Sequence, residues 1–213
     1  MQVRFLPGSH VENIYKMTTH TTFAIISSIV GIFSFFPYIR NIFKGTTKPH
    51  SYSWAIWTIL QTVGIISMLD SGAGIGVLSL SVGTLFCGFI FILSLKNGTK
   101  NIKLFDKICL AGALLAILIY IFLKNPFFSL IIVVITDFVG FLPTFRKAYE
   151  EPDTETASGY VLSSMSSILA LLALSYITFS TSLYLVSLII TNGLCAFIIF
   201  FRRKQLHSKR IVL

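Results

Sequence analysis

The sequence predicts an all-α integral membrane protein: seven transmembrane helices in two parallel three-helix bundles joined by a linker helix, a 3+1+3 plan. Three observations predict it. The 213 residues are 54% hydrophobic and 12% charged, with mean hydropathy +0.82, whereas soluble domains carry roughly a quarter charged residues. The apolar residues fall in long runs between short polar clusters, without the ~10-residue alternation of a membrane β-barrel. Finally, the chain repeats itself at an offset of 106 to 108 residues.

The spans fall at 21–41, 53–69, 73–95, 105–123, 127–146, 157–177 and 181–201. Each is near the ~20 residues that cross ~30 Å of hydrocarbon. Residues 1–20, an N-terminal extracytoplasmic segment, hold Arg4, His10, Glu12, Lys16 and His20. They lack a secretory h-region, so no cleavable signal peptide is expected. Met17 offers an alternative start of translation. Residues 21–95 form the first bundle, 96–124 the linker helix, 125–201 the second bundle and 202–213 a basic cytoplasmic tail.

Span 1 ends on "FFPYIR", where Pro37 leaves the carbonyl of Phe33 without its helical partner. Span 2 carries Trp57 one turn before Gln61. Span 3 is entered from "SGAGIG" (71–76), which leads into a membrane helix and not a βαβ unit, so it is no phosphate-binding loop. Thr84 lies at mid-span. Span 5 contains "TDFVGFLPTFRK", with Asp137 some ~13 Å before Arg146 along the axis and Pro143 freeing the carbonyl of Val139. Span 6 carries "SSMSS" (163–167) and span 7 Asn192. Cys87, Cys109 and Cys195 all lie in apolar runs, with neither a disulfide framework nor metal-ligand spacing.

Lys and Arg distribute three (Arg4, Lys16, Lys124) to the side of the N-terminus and fourteen to the other. The positive-inside rule then predicts the N-terminus outside and the C-terminus in the cytoplasm. The same distribution explains the +9 net charge, because the basic residues flank span ends. No RNP motif, zinc ligand set or stacking face accompanies them, which argues against nucleic acid as a partner. The tail "FRRKQLHSKR" reads as an anchor on anionic lipid. Abundant Phe, Ile and Lys with short loops point to a bacterial inner membrane, an organelle membrane being the alternative.

At an offset of 106, Pro37 falls on Pro143, Arg40 on Arg146 and Trp54 on Tyr160. At 108, "SLSVGTLFCGFI" (79–90) lies over "SLIITNGLCAFI" (187–198), which matches Cys87 with Cys195 and Thr84 with Asn192. Spans 1–3 therefore correspond to spans 5–7. A single extra helix between units of three gives both the same orientation, as parallel repeats.

On "FFPYIRNIFKGTTKPHSYSW" and "GFLPTFRKAYEEPDTETASGY", over residues 21–201, the chain resembles the SWEET and PQ-loop superfamily of small transporters. The Pro-Gln dipeptide of that family is Pro37-Tyr38 in one repeat and Pro143-Thr144 in the other. The further prolines that SWEET sugar transporters carry in their second and sixth helices are absent, which marks a divergent member. The resemblance implies the 3+1+3 fold and transport of a small solute. It also implies that Asn192 matches an asparagine that binds solute in SWEETs, with Thr84 replacing the other. Asp137 resembles an acidic residue that some PQ-loop transporters use for proton coupling.

A carboxylate near the bilayer midplane costs about 2.5–3.5 kcal/mol on insertion scales, so Asp137 should face a cavity or the bundle interior. That cost makes it a candidate proton-coupling group; the plainer reading is interhelical hydrogen bonding. Trp57, Gln61, Thr84 and Asn192 are candidate substrate-binding residues because each sits at mid-span, where converging polar groups form a solute site. Ser166 and Ser167 share that depth, although serines in membrane helices often serve close packing. Pro37 and Pro143 are candidate hinges for alternating access, or static kinks. "EEPDTE" (150–155) reads as a solvated acidic loop, or else, with Arg146 and Lys147, as an inner gate. His50 reads as an exposed loop residue.

No nucleophile–base pair, metal set or Walker motif occurs, so neither an enzyme nor a cofactor is expected. The expectation is a carrier of a small polar solute, such as a sugar, amino acid or vitamin, working by alternating access. Its partners would be the solute and the lipid bilayer, with association into a homo-oligomer left open. The alternatives are a non-transporting receptor on the same fold, or an assembly partner with a dry, packed midplane.

Overall fold

A computed structural model of the chain describes residues 7–70, 74–122 and 126–211. Arg4, Lys124 and the first three residues of "SGAGIG" lie outside the described residues. The secondary structure of the described residues is helical. The α-helices are α1 (Pro7–Phe43), α2 (Ser51–Asp70), α3 (Leu78–Asn97), α4 (Leu104–Phe122), α5 (Pro126–Glu150), α6 (Ala157–Leu172) and α7 (Phe179–Ile211). Short 3-10 turns occupy Gly74–Val77 and Pro152–Thr154, and no strand occurs among the described residues.

Each predicted span contains one helix, with ends that differ from the apolar runs. α1 starts at Pro7, so residues 7–20 continue span 1. α3 starts at Leu78, five residues later than the hydropathy suggests, because Gly74–Val77 take the tighter turn. α6 stops at Leu172, leaving residues 173–178 as an irregular apolar connection. α7 runs on to Ile211, so the basic tail is helical as far as it is described. Among the described residues, three helical stretches are long and apolar enough to cross a membrane: Thr18–Phe43, Leu80–Asn97 and Thr181–Ser208.

Both internal prolines are accommodated within continuous helices, Pro37 in α1 and Pro143 in α5. α1 ends where Gly45 takes φ +72° and donates its N–H to the carbonyl of Ile42. A Cβ would be strained in that left-handed conformation, which is why glycine serves as the cap.

α3 packs between α1 and α2, and α7 packs between α5 and α6. α1 lies along α6, α2 lies along α5, and α4 rests on α5 with a smaller contact to α2. Reciprocal serine bonds tie α1 to α6: Ser27 Oγ donates to the Ser166 carbonyl at 2.7 Å, and Ser166 Oγ to the Ser27 carbonyl at 2.8 Å. Thr144 Oγ1 donates to Ser53 Oγ at 3.0 Å between α5 and α2.

The segments 44–50, 98–103 and 151–156 meet at one end of the molecule, here termed the charged end. Lys48 N donates to the Thr154 carbonyl, and Thr99 N to that of Pro49. One apolar cluster around Trp54, Trp57, Tyr160 and Ile199 lies towards this end, and another around Met68, Leu130, Leu174 and Tyr184 towards the opposite end. The exterior is also apolar: Leu85, Phe122 and Phe197 are 76%, 82% and 63% exposed. Continuous apolar exteriors of this kind mark contact with lipid or with a partner.

Candidate functional site

A cavity of about 100 Å³ lies where α1, α2, α3, α5, α6 and α7 converge. Among the described residues α4 contributes nothing to its wall. Four of the sequence-predicted site residues line it: Trp57, Gln61, Asp137 and Asn192. The fifth, Thr84, stands one layer behind. Its hydroxyl lies 3.2 Å from Gln61 Oε1 and also bonds the Leu80 carbonyl of its own helix at 2.9 Å. Together with Cys87 Sγ, which accepts from Gln61 Nε2 at 3.4 Å, Thr84 orients the Gln61 amide from α3.

Asp137 is fully buried. Its Oδ1 accepts a long hydrogen bond from the Tyr184 hydroxyl at 3.4 Å, while Oδ2 receives none from the described residues. Trp57 Nε1 is likewise buried without an acceptor. It stands beside Gly140, 3.3 Å from where a Cβ would be, one turn beyond Asp137 on α5. A buried acceptor and a buried donor thus remain unmet on the same wall, at a cost unless a ligand or water meets them. Asn192 turns its amide N–H back to the Leu188 carbonyl at 2.9 Å.

Aromatic rings complete the wall. Trp57 meets Trp54 edge-on at 5.0 Å between centroids and lies 4.4 Å from Phe141. Tyr38 lies 5.1 Å from Trp54 and 6.0 Å from Tyr160. None of Trp54, Phe35, Tyr38, Phe141 or Tyr160 was read as a site residue in the sequence, since aromatics are common in apolar spans. The repeat held a usable signal nevertheless. The offset that matches the two prolines also matches Phe35 with Phe141, Trp54 with Tyr160, Gly31 with Asp137 and Gln61 with Ser167. All eight line the cavity.

Of the serines in "SSMSS", Ser163, Ser166 and Ser167 also line the cavity, yet each is used in packing. Ser163 donates to Ser34 Oγ at 3.1 Å, Ser164 to the Ile189 carbonyl at 3.0 Å and Ser167 to the Ser163 carbonyl at 3.0 Å.

The floor of the cavity at the charged end hangs on one carboxylate. Tyr38 and Tyr160 both donate to Glu155 Oε2 at 3.2 Å, and Lys147 Nζ bonds Glu155 Oε1 at 2.6 Å. The Lys147 and Glu155 side chains are both fully buried. Arg203 on α7 donates to the Glu155 backbone carbonyl and, at 3.0 Å, to that of Pro152. Glu155 thereby joins α1, α5, α6 and α7. The expectation of a merely solvated "EEPDTE" loop is corrected: Asp153 is exposed, but Glu155 turns inward to the lysine that follows the Pro143 turn. The tail is corrected in part as well, since Arg202 and Arg203 bond carbonyls of Tyr149 and Pro152.

A second cluster borders the first. Arg146 bonds Asp106 through Nε at 3.1 Å and Nη2 at 2.6 Å, and pairs with Glu150 at 2.6 Å. Lys103 also reaches Glu150, and that hydrogen bond holds the Glu150 carboxyl below its ordinary range. His50, expected to be exposed, is fully buried because the 44–50 segment folds beneath the start of α4. Its Nε2 lies 3.2 Å from Asp106 Oδ2, off the line of a hydrogen bond. Burial lowers the His50 pKa, with Asp106 opposing and Arg146 and Lys147 adding to the shift. Among the described residues no group of three His, Cys, Asp or Glu is placed to hold a metal ion.

Comparison of the chain with protein families, with characterised proteins and with solved structures finds no match.

Proposed function

We propose that the chain is a seven-helix membrane carrier that moves a small polar solute by alternating access between two parallel three-helix bundles, with Asp137 as its candidate proton-coupling group. The observation that carries this reading is the cavity whose wall gathers Trp57, Gln61, Asp137 and Asn192 from three helices. An assembly partner would be served by a packed midplane; a cavity with an unmet carboxylate oxygen is costly unless something occupies it.

The packing supports the two-bundle reading. α1, α3 and α2 form one unit and α5, α7 and α6 the other, with the third helix of each triplet in the middle. The seams between units, α1 with α6 and α2 with α5, exchange under the sequence repeat, and α4 is left as the linker. Such a plan is what the resemblance to the SWEET and PQ-loop carriers implies, and this packing supports it. The fourteen basic residues on one side assign the charged end to the cytoplasm by the positive-inside rule.

In this reading the Glu155 tether is the inner gate in its closed state. Tyr38 directly follows Pro37, and Lys147 stands one turn after Pro143, so both gate residues hang on helix ends weakened by proline. Opening would separate Lys147 and Tyr38 from Glu155 as the α1–α6 and α2–α5 seams loosen.

The test is uptake into proteoliposomes. Sugars, amino acids, nucleosides and vitamins are first screened for thermal stabilisation of the purified protein, then offered as labelled solutes with and without an imposed pH gradient. Saturable uptake that fails in Asp137→Asn is the expected result. Ligand stabilisation without flux would favour a receptor on the same fold. No ligand at all would favour an assembly partner.

A further inference from the structure

We infer that the cavity takes a small primary ammonium compound that also carries a hydrogen-bond acceptor near its nitrogen. This deepens the carrier reading and rests on it for flux, though not for binding.

Charge selects the first feature. Asp137 is the one ionisable acid or base among the described lining residues other than the tyrosines and Cys87. The basic groups nearest in the chain are committed elsewhere, Arg146 to Asp106 and Glu150 and Lys147 to Glu155. The site therefore presents a carboxylate with no internal counter-charge, and an anionic ligand would add a second unpaired charge beside it. A cation supplies what is missing.

Hydrogen bonding selects the second feature. Asp137 Oδ2 is buried and accepts nothing from the described residues, so the ligand's charged group must bring an N–H. A quaternary ammonium has none and would leave that oxygen unmet. The rings of Trp57 and Phe141, 4.4 Å apart, line the same cavity, Phe141 one turn beyond Asp137 on α5.

Trp57 Nε1 selects the third. It is an unmet donor next to Gly140, three residues and so ~4.5 Å of helix rise beyond Asp137. A ligand whose ammonium meets Asp137 would place a hydroxyl or carboxylate oxygen there. The cavity's ~100 Å³ keeps the ligand small.

The experiment uses the full-length protein in detergent and four probes of similar size: ethanolamine, choline, ethylene glycol and glycolate. Ethanolamine is expected to bind at least ~10-fold more tightly than the other three, one N–H-to-carboxylate bond being the difference. Asp137→Asn should abolish that preference, and Trp57→Phe, which keeps the ring and loses the N–H, should weaken ethanolamine binding. The Trp57→Phe comparison stands as an independent readout should Asp137→Asn fold poorly. Equal binding of choline or ethylene glycol, or an unchanged preference in both variants, would overturn the inference. If no amine binds while a neutral solute is taken up by proteoliposomes, the ligand class falls and the carrier reading stands. If ethanolamine binds as expected and is not carried, the ligand class stands and the carrier reading falls.

Discussion

Lys147 Nζ lies 2.6 Å from Glu155 Oε1, and neither side chain has any exposed surface. An ion pair removed from water costs several kcal/mol per charge and is tolerated only when the remaining polar atoms are met. Here they are met: Glu155 Oε2 takes the hydroxyls of Tyr38 and Tyr160, and Lys147 Nζ also reaches the Thr154 carbonyl at 3.1 Å. A pair so placed contributes less to net stability than to holding particular helix ends together.

Removing one partner is therefore the sharp test. Lys147→Met should lower stability by roughly 3–5 kcal/mol, because Glu155 is left charged and buried. Lys147→Met with Glu155→Gln should recover much of that loss, since the amide keeps an acceptor for the two tyrosines without the charge. Melting curves of the three proteins decide it. If the double variant melts no higher than the single one, the pair is not the source of the loss.

A pH dependence follows from His50. Its folded pKa is lowered, chiefly by burial, whereas in the unfolded chain it takes up a proton near pH ~6.5. Between the two values the unfolded state binds more protons, so stability rises with pH. The contribution is complete above ~6.5 and is lost as pH falls through the folded value. The melting temperature of wild type should drop as pH goes from 7 to 5, and His50→Asn should flatten that slope. The same slope in both proteins would place the proton uptake elsewhere. Asp106, Arg146 and Lys147, from α4 and α5, are the charged groups that face His50.

Asp137→Asn should leave the fold intact and melt about 1 kcal/mol higher, roughly 2–4 °C for a chain of this size. The amide can keep the long bond from Tyr184, 3.4 Å in wild type, while the cost of burying a charge disappears. A melting temperature several degrees below wild type would mean that the carboxylate is held by partners the fold depends on.

Much of this arrangement was legible because polar groups are expensive in apolar runs. Asp137, Gln61 and Asn192 stand out against the residues around them, and the cavity gathers all three. The helix count was legible for the same reason. Thr84 shows the limit: mid-span depth gave its height in the bundle, but the turn of α3 places it behind Gln61. The charged end was misread because loop composition says nothing of burial. His50 and Glu155 look solvated until segments distant in sequence, around Asp106 and Lys147, close over them. The aromatic wall carried no individual signal, and only the spacing of the repeat distinguishes Trp54 and Tyr160 from other rings in the spans.

The α2–α5 and α1–α6 contacts are closed by glycines, which gives a test of how tightly they must fit. A Cβ on Gly140 of α5 would sit 2.9 Å from Ile56 Cγ2 and 3.3 Å from Trp57 Nε1 on α2. A Cβ on Gly159 of α6 would lie 3.1 Å from the Ser34 carbonyl oxygen on α1. Gly112 on α4 has nothing within 4 Å, and it supplies the control. Gly112→Ala should be neutral or stabilising by up to ~1 kcal/mol, as expected of an open helical site. Gly140→Ala should cost about 1–3 kcal/mol through overpacking and, by displacing Trp57, weaken ligand binding as well. Gly159→Ala should cost a similar amount, because its neighbour is backbone and cannot rotate away. Melting and binding measured together separate the two seams: loss of binding is expected for Gly140→Ala beyond what its melting shift accounts for. If Gly140→Ala binds ligand as wild type does, Trp57 is not a fixed part of the site.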